Sequence, residues 1–296
     1  MPDRIDVRKT YKLYLGGEFV RSESGRAYQV YSRGDVPPAG RARQSLRAAD
    51  PPGPDVNVPR GSRKDLRDAV KVARGAFAGW AARTAMNRGQ VLYRAAEMLD
   101  GRRQQFIAEL GGGRKAGREV DAAVEAFVWY AGWTDKLSQV MGTVNPVAGP
   151  YFNFTLPEPT GVVGVVAPEE PPLAGLVLRI APALAGGNTV VALASERSPL
   201  AALTLGEVLA TSDFPAGVVN VISGFRKELL PWLAAHLDVN AIDATGCTAE
   251  QLAAVQEAGA ANVKRIVSAN GRRARLTPEA ITDLMEMKTV WHPIGV

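Results

Sequence analysis

The chain has 296 residues, 46% of them hydrophobic, and a formal net charge of +5 from 35 basic and 30 acidic side chains. That is enough apolar content for a sizeable core, while so thin a positive excess, clustered only at Arg102-Arg103-Gln104 and Gly271-Arg272-Arg273-Ala274-Arg275 with no aromatic interleaving, argues against a nucleic-acid partner. One cysteine, Cys247, and two histidines, His236 and His292, exclude an internal disulfide and make a protein-only zinc site hard to assemble.

The first residues lack the apolar run of a signal peptide, and the apolar stretches are too short and too broken by Gly and Pro to span a bilayer. The expectation is a soluble cytoplasmic protein without membrane contact. Residues 11–20 read as strand, Gly16-Gly17 turn and strand, placing an N-terminal hairpin in 1–31. Residues 32–62, rich in Pro, Gly and Arg without periodicity, read as an irregular surface loop. Leu66, Val70, Ala73 and Phe77 recur at helical spacing behind a cap at Ser62 or Arg63. A second helix is expected over 87–110, broken by Gly111-Gly112-Gly113, and a third over 118–137. Residues 63–149 thus form a helical part that needs a sheet to cover.

From Pro150 the pattern changes. Residues 150–160 read as an extended segment ended by Pro157 and Pro159. Buried-strand runs then alternate with helices: strand 161–166, helix 172–185, strand 188–193, helix 200–210, strand 217–222, helix 228–235, strand 239–244, helix 249–260, strand 264–268. This βαβα repeat, within a unit set at 161–273, predicts an α/β fold with a doubly wound, mostly parallel sheet. The tail, 274–296, carries a short helix near 279–285 and a lone strand at 288–291, which must pair within the chain or with another subunit.

Six strings, in order, resemble the aldehyde dehydrogenase superfamily: Tyr14 to Phe19 its N-terminal hairpin, Gly161 to Pro168 the strand before its Pro-Trp-Asn loop, Ala183 to Val191 a helix–strand junction, Phe214 to Gly224 the next strand, Thr245-Gly246 its Thr-Gly-Ser turn, and Met287 to Trp291 its Lys-Thr-Val-Trp tail. The resemblance implies a Rossmann-like half for NAD or NADP. The cofactor positions it marks are Glu196, Gly224, Gly246 and Cys247.

The departures carry the functional reading. Glu170 stands where the family has the oxyanion-hole Asn, and a carboxylate there repels a developing oxyanion. Ala269 stands in place of the general base. Leu193 replaces a ribose-contacting Lys, and Gln251 the second glycine of the Thr-Gly-Ser turn. By the resemblance, the domain bearing the nucleophilic thiol is missing between Arg273 and the tail. Cys247 aligns with a serine of the cofactor half. At a helix N-terminus its pKa would fall and the thiol could react; the favoured expectation is a semi-buried cysteine packing in the serine's place. Glu169 and Glu170 are neighbours that resemble a paired-carboxylate site but read as a solvated loop, and Trp129, Trp133 and Trp291 read as packing or interface residues.

The resemblance also implies dimers or tetramers built through the segment after Pro150 and the tail, and it extends to the degenerate second module of two-module family members. The leading expectation is a non-catalytic accessory or regulatory subunit, in a homo-oligomer or paired with a full-length aldehyde dehydrogenase. The alternatives are a residual NAD(P)-dependent aldehyde oxidoreductase, a nucleotide or small-molecule binding module, and a relic without function.

Overall fold

The computed structural model describes residues 9–31, 56–268 and 276–295. The N-terminal hairpin pairs β1 (Leu13–Leu15) with β2 (Glu18–Val20) across Gly16 and Gly17, both at positive φ, as a tight turn between twisted strands requires. Val56–Pro59 (β4) pairs antiparallel with Ala27–Val30 (β3), which corrects the loop expected over 32–62. Only two apolar residues, Val56 and Val58, mark the strand, and Val58 is fully buried. Such a short alternation is hidden among turn formers. The rest of that expected loop, residues 32–55, lies outside the described residues.

Helix α1 (Arg63–Ala81) begins at the expected serine: the Ser62 hydroxyl accepts from the Asp65 N–H, and the Asp65 carboxylate takes the Ser62 N–H, a reciprocal capping box. The helix expected over 87–110 is two helices, α2 (Ala85–Gly101) and α3 (Arg103–Glu109), because the turn at Gly101 and Arg102 breaks the axis. After the Gly111-Gly112-Gly113 turn, at positive φ throughout, come α4 (Gly113–Trp133) and α5 (Leu137–Met141).

The centre is a seven-stranded sheet. Its parallel strands are β7 (Val162–Val166), β8 (Thr189–Leu193), β9 (Val219–Ile222), β10 (Ala241–Asp243) and β11 (Arg265–Val267), joined through α6 (Pro172–Ala185), α7 (Leu200–Ala210), α8 (Arg226–Ala235) and α9 (Ala249–Gly259). The order is β11-β10-β7-β8-β9-β1-β2, with the hairpin added antiparallel at one edge. The sheet is the Rossmann-like, doubly wound architecture expected from the sequence.

Side chains alternate along the strands between two core layers. Val163, Val165, Val190, Ala192, Val219 and Val221 face the layer of α2, α4, α6 and α7; Val162, Val166, Val191, Leu193 and Ile222 face that of α1 and α8. Helix α6 is buried at all but one position, so it reads as apolar on every side. Buried amides tie in the ends of the chain. Asn188 accepts from the Gly161 N–H at 2.9 Å and donates to the Leu284 carbonyl at 3.0 Å, while Asn220 accepts from the Gly16 N–H at 2.8 Å.

A separate three-stranded sheet has the order β12-β6-β5. The tail strand β12 (Met285–Pro293) follows α10 (Glu279–Thr282) and pairs antiparallel with β6 (Tyr151–Pro159) over nine residues, longer than the four-residue strand expected. Pro157 and Pro159 lie within β6 instead of ending it. The partner β5 (Thr143–Asn145) reaches only Asn153 to Thr155, so beyond Thr155 one edge of β6 is unpaired and a missing N–H there breaks no ladder bond. Among the described residues no helix is long and apolar enough to cross a membrane, and no cluster of His, Cys, Asp and Glu has metal-site geometry.

Candidate functional site: the crevice at the strand ends

In an open α/β sheet, ligands bind outside the carboxyl ends of the strands where strand order reverses. Here the reversal lies between β7 and β10, which run side by side while their outgoing connections diverge to β8 and β11. Four turns meet above it: residues 167–171 after β7, 194–199 after β8, 223–225 after β9 and 244–248 after β10.

The turn residues are joined to one another. Arg226, 5% exposed, sends its guanidinium to the Gly246 carbonyl at 2.6 Å, to the Ala167 carbonyl, and to the Glu169 carboxylate at 2.7 Å. Its backbone N–H, the first of α8, donates to Glu196. Glu169 also accepts from the Ser195 hydroxyl at 2.6 Å, the Arg197 N–H at 3.2 Å and the Glu196 N–H at 3.3 Å. Glu169 is therefore no solvated loop residue. It parts from Glu170, whose exposed carboxylate pairs with Lys115 at 3.2 Å. Tyr28 from β3 closes the side of the cluster, its ring 5.0 Å from that of Phe225. Burial, with the Glu196 and Glu169 carboxylates adding to it, raises the Tyr28 phenol well above its ordinary range.

The sequence-marked positions are brought together here, but facing inward. A Cβ on Gly246 would lie 2.2 Å from the Ala167 carbonyl oxygen, so the glycine serves turn-on-turn packing. Gly224, at φ 152°, lies against Gly61 and Leu229. Glu196 satisfies the start of α8. Cys247 is partly buried, and burial pushes its thiol up to about 11, the opposite of the fall expected at a helix N-terminus. Two features offset the dipole. Cys247 packs against the buried layer that includes Val166, Ala244 and Val255, and Thr248 and Gln251 close a capping box that satisfies the first turn of α9. Gln251 thereby fills the anion position that a bare helix end would offer. Ala269 lies outside the described residues.

Glu170 sits beside a cavity of about 190 Å³ lined also by Glu109, Lys115 and Glu119, and Cys247 is not among its lining residues. Buried Glu119 takes the N–H groups of Leu173 (2.8 Å) and Ala174 (3.3 Å), capping α6 from another helix; desolvation raises its pKa and these bonds oppose the rise. Trp129 and Trp133 pack with tilted rings, centroids 5.5 Å apart, while Trp291 is 59% exposed. His236 accepts from the Asp238 N–H at 3.2 Å, a local turn contact.

The sequence reading missed Arg226 and took Glu169 for a solvated loop residue. The signal was an arginine in the first turn of a helix, where the dipole disfavours a cation, with carboxylates in neighbouring turns to compensate.

Comparison with known proteins agrees with this architecture. The family model described as "Aldehyde dehydrogenase family" matches residues 53–284. The chain belongs to the aldehyde dehydrogenase family. It is 32% identical over 271 residues to human retinal dehydrogenase 2, covering 88% of this chain and 48% of that protein. Among solved structures it resembles the NAD+ complex of an aldehyde dehydrogenase from Bacillus cereus (27% identity, TM-score 0.75, covering 88% of this chain and 50% of that one). It also resembles HpcC from Thermus thermophilus (30% identity, TM-score 0.76, covering 88% and 48%). The chain spans about half the length of the relatives it matches.

Set against the dinucleotide that this family implies, the crevice residues do not fit. Its centre holds a buried guanidinium flanked by the Glu169 and Glu196 carboxylates, and these already take the N–H groups of Glu196, Arg197 and Arg226 that an anion would need.

Proposed function

We propose that this chain is a non-catalytic subunit of an aldehyde dehydrogenase assembly, joined to further copies of itself or to a full-length family member through the sheet β12-β6-β5. The observation that carries the reading is the apolar surface of that sheet. Tyr151 and Trp291 lie on one face, packed edge to face at 5.7 Å, and Val144, Phe152, Leu156 and Val290 on the other, all of them at least 40% exposed. Exposed apolar patches of this kind mark interaction sites. The outer edge of nine-residue β12 offers further N–H and C=O groups to an incoming strand.

Chemistry by this chain alone is disfavoured on the same residues. Its single thiol is partly buried and held neutral, Glu170 stands where an oxyanion donor is needed, and Ala269 takes the place of a base. The reading also takes the thiol-bearing domain of full-length relatives to be missing between residue 273 and the tail. The test is to assay the isolated chain with NAD+ or NADP+ and a panel of aldehydes while measuring its mass by sedimentation. The expected result is no reduced nicotinamide and a mass of two or more chains. Turnover by the isolated chain refutes the non-catalytic half, and a stable monomer at tens of micromolar weighs against self-association.

A further inference from the structure

We infer that Arg226 is a built-in occupant of the strand-end crevice: its guanidinium, clasped by Glu169 and by the carbonyls of Ala167 and Gly246, ties the crossover turns together where a doubly wound sheet otherwise takes a dinucleotide.

The geometry is that of a ligand supplied by the protein. The side chain starts at the turn after β9 and ends on groups from the turns after β7 and β10, the two strands that flank the switch point. The turn after β8 joins through the Ser195 hydroxyl and two N–H groups, all directed at Glu169. One connected set of hydrogen bonds thus spans all four turns. The guanidinium suits this task because its planar fork bonds several acceptors at once and stays charged when buried.

The same groups exclude a pyrophosphate. A phosphate oxygen entering from solvent meets Glu169 and Glu196, two charges of its own sign, against one guanidinium already engaged. The N–H groups that would cradle it are taken: that of Arg226 by Glu196, those of Glu196 and Arg197 by Glu169, and that of Gly246 by the Val166 carbonyl at 3.0 Å. Tyr28 and Phe225 cover the side of the cluster. The fold therefore keeps the shape of a nucleotide domain without depending on a nucleotide to hold its turns in place.

The experiment is a titration of the intact chain with NAD+, NADP+ and inorganic pyrophosphate, read by isothermal calorimetry and melting temperature, beside the variants Arg226→Lys, Glu169→Gln and their double. The wild type is expected to show no heat of binding and no melting shift at millimolar ligand. Each single variant should melt lower, and the double should melt well above the sum of the two losses, because the pair acts as one unit. Arg226→Gly is the stronger variant; if it does not fold, the wild-type titration and the lysine series still decide. Wild-type binding of NAD+ or NADP+ with a dissociation constant below about 1 mM, ΔG near −4 kcal/mol, overturns the inference. So does a melting loss that is strictly additive.

Discussion

Alkylation of Cys247 tests the chemistry of this crevice at one atom. Burial holds the thiol near 11, while Arg226 pulls it down and Asp243 pushes it up by smaller amounts. A free cysteine, with a pKa of about 8.5, is about 10% thiolate at pH 7.5, and a thiol at 11 carries about 300-fold less. The more basic thiolate is intrinsically more nucleophilic, which at a Brønsted slope of about 0.45 returns roughly tenfold. Cys247 should therefore react with iodoacetamide about 30-fold more slowly than free cysteine at pH 7.5, and more slowly still if access is limited. The measurement is the second-order rate of alkylation from pH 7 to 11, followed by intact mass. The rate should climb about tenfold per pH unit through pH 10 and level only near 11. A rate at pH 7.5 equal to or above that of free cysteine, or a plateau below pH 8.5, would refute the reasoning and restore the reactive-thiol reading.

Asp65 accepts from the Ser62 N–H (2.7 Å), the Ser22 hydroxyl (2.8 Å) and the Glu23 N–H (3.0 Å), so Asp65→Ala leaves three donors unmet, the Ser22 hydroxyl buried among them, and should cost about 3 kcal/mol, lowering the melting temperature by roughly 6–10 °C in calorimetry. Gly246→Ala drives a Cβ into the Ala167 and Val166 carbonyl oxygens and should cost about 1–3 kcal/mol by denaturant titration; a neutral result would mean that the turns after β7 and β10 are not in contact. Burial holds the Lys264 ammonium at about 8, below the ordinary lysine value, so the fold favours its neutral form. Its stabilising effect is present above the unfolded pKa and is lost as pH falls through 8. Stability measured from pH 10 down to 8 should accordingly decline more steeply in the wild type than in Lys264→Met. Replacing Trp291 and Val290 together by Ser should dissociate any assembly formed through β12 while leaving circular dichroism unchanged, because both side chains point to solvent in the single chain.

The parallel core was legible because fully buried strands and helices write long apolar runs: Pro172–Ala185 and Leu200–Ala210 begin and end where the sequence placed them. The pairing of Val56–Pro59 with Ala27–Val30 was not, since the partners are distant in the chain and only two valines mark the second strand. Nor was the register of β12 on β6, because exposed side chains on both strands blur the period-two signal and two prolines argue locally against a strand. At the site, Glu196, Gly224, Gly246 and Cys247 were found by resemblance, but their partners were not. Whether Gly246 meets a ligand or the Ala167 carbonyl depends on how four turns fold over one sheet end, a non-local fact that no local motif encodes.

The most direct measurement for the assembly is purification of the tagged chain from its own cells, with the mass and stoichiometry of the intact complex read by native mass spectrometry. The account predicts a complex in which this chain and a full-length aldehyde dehydrogenase, or several copies of this chain, occur in fixed ratio through β12, and in which the Trp291/Val290 double variant is released. A chain that elutes as a monomer, with no family member bound and no change on mutating β12, contradicts it.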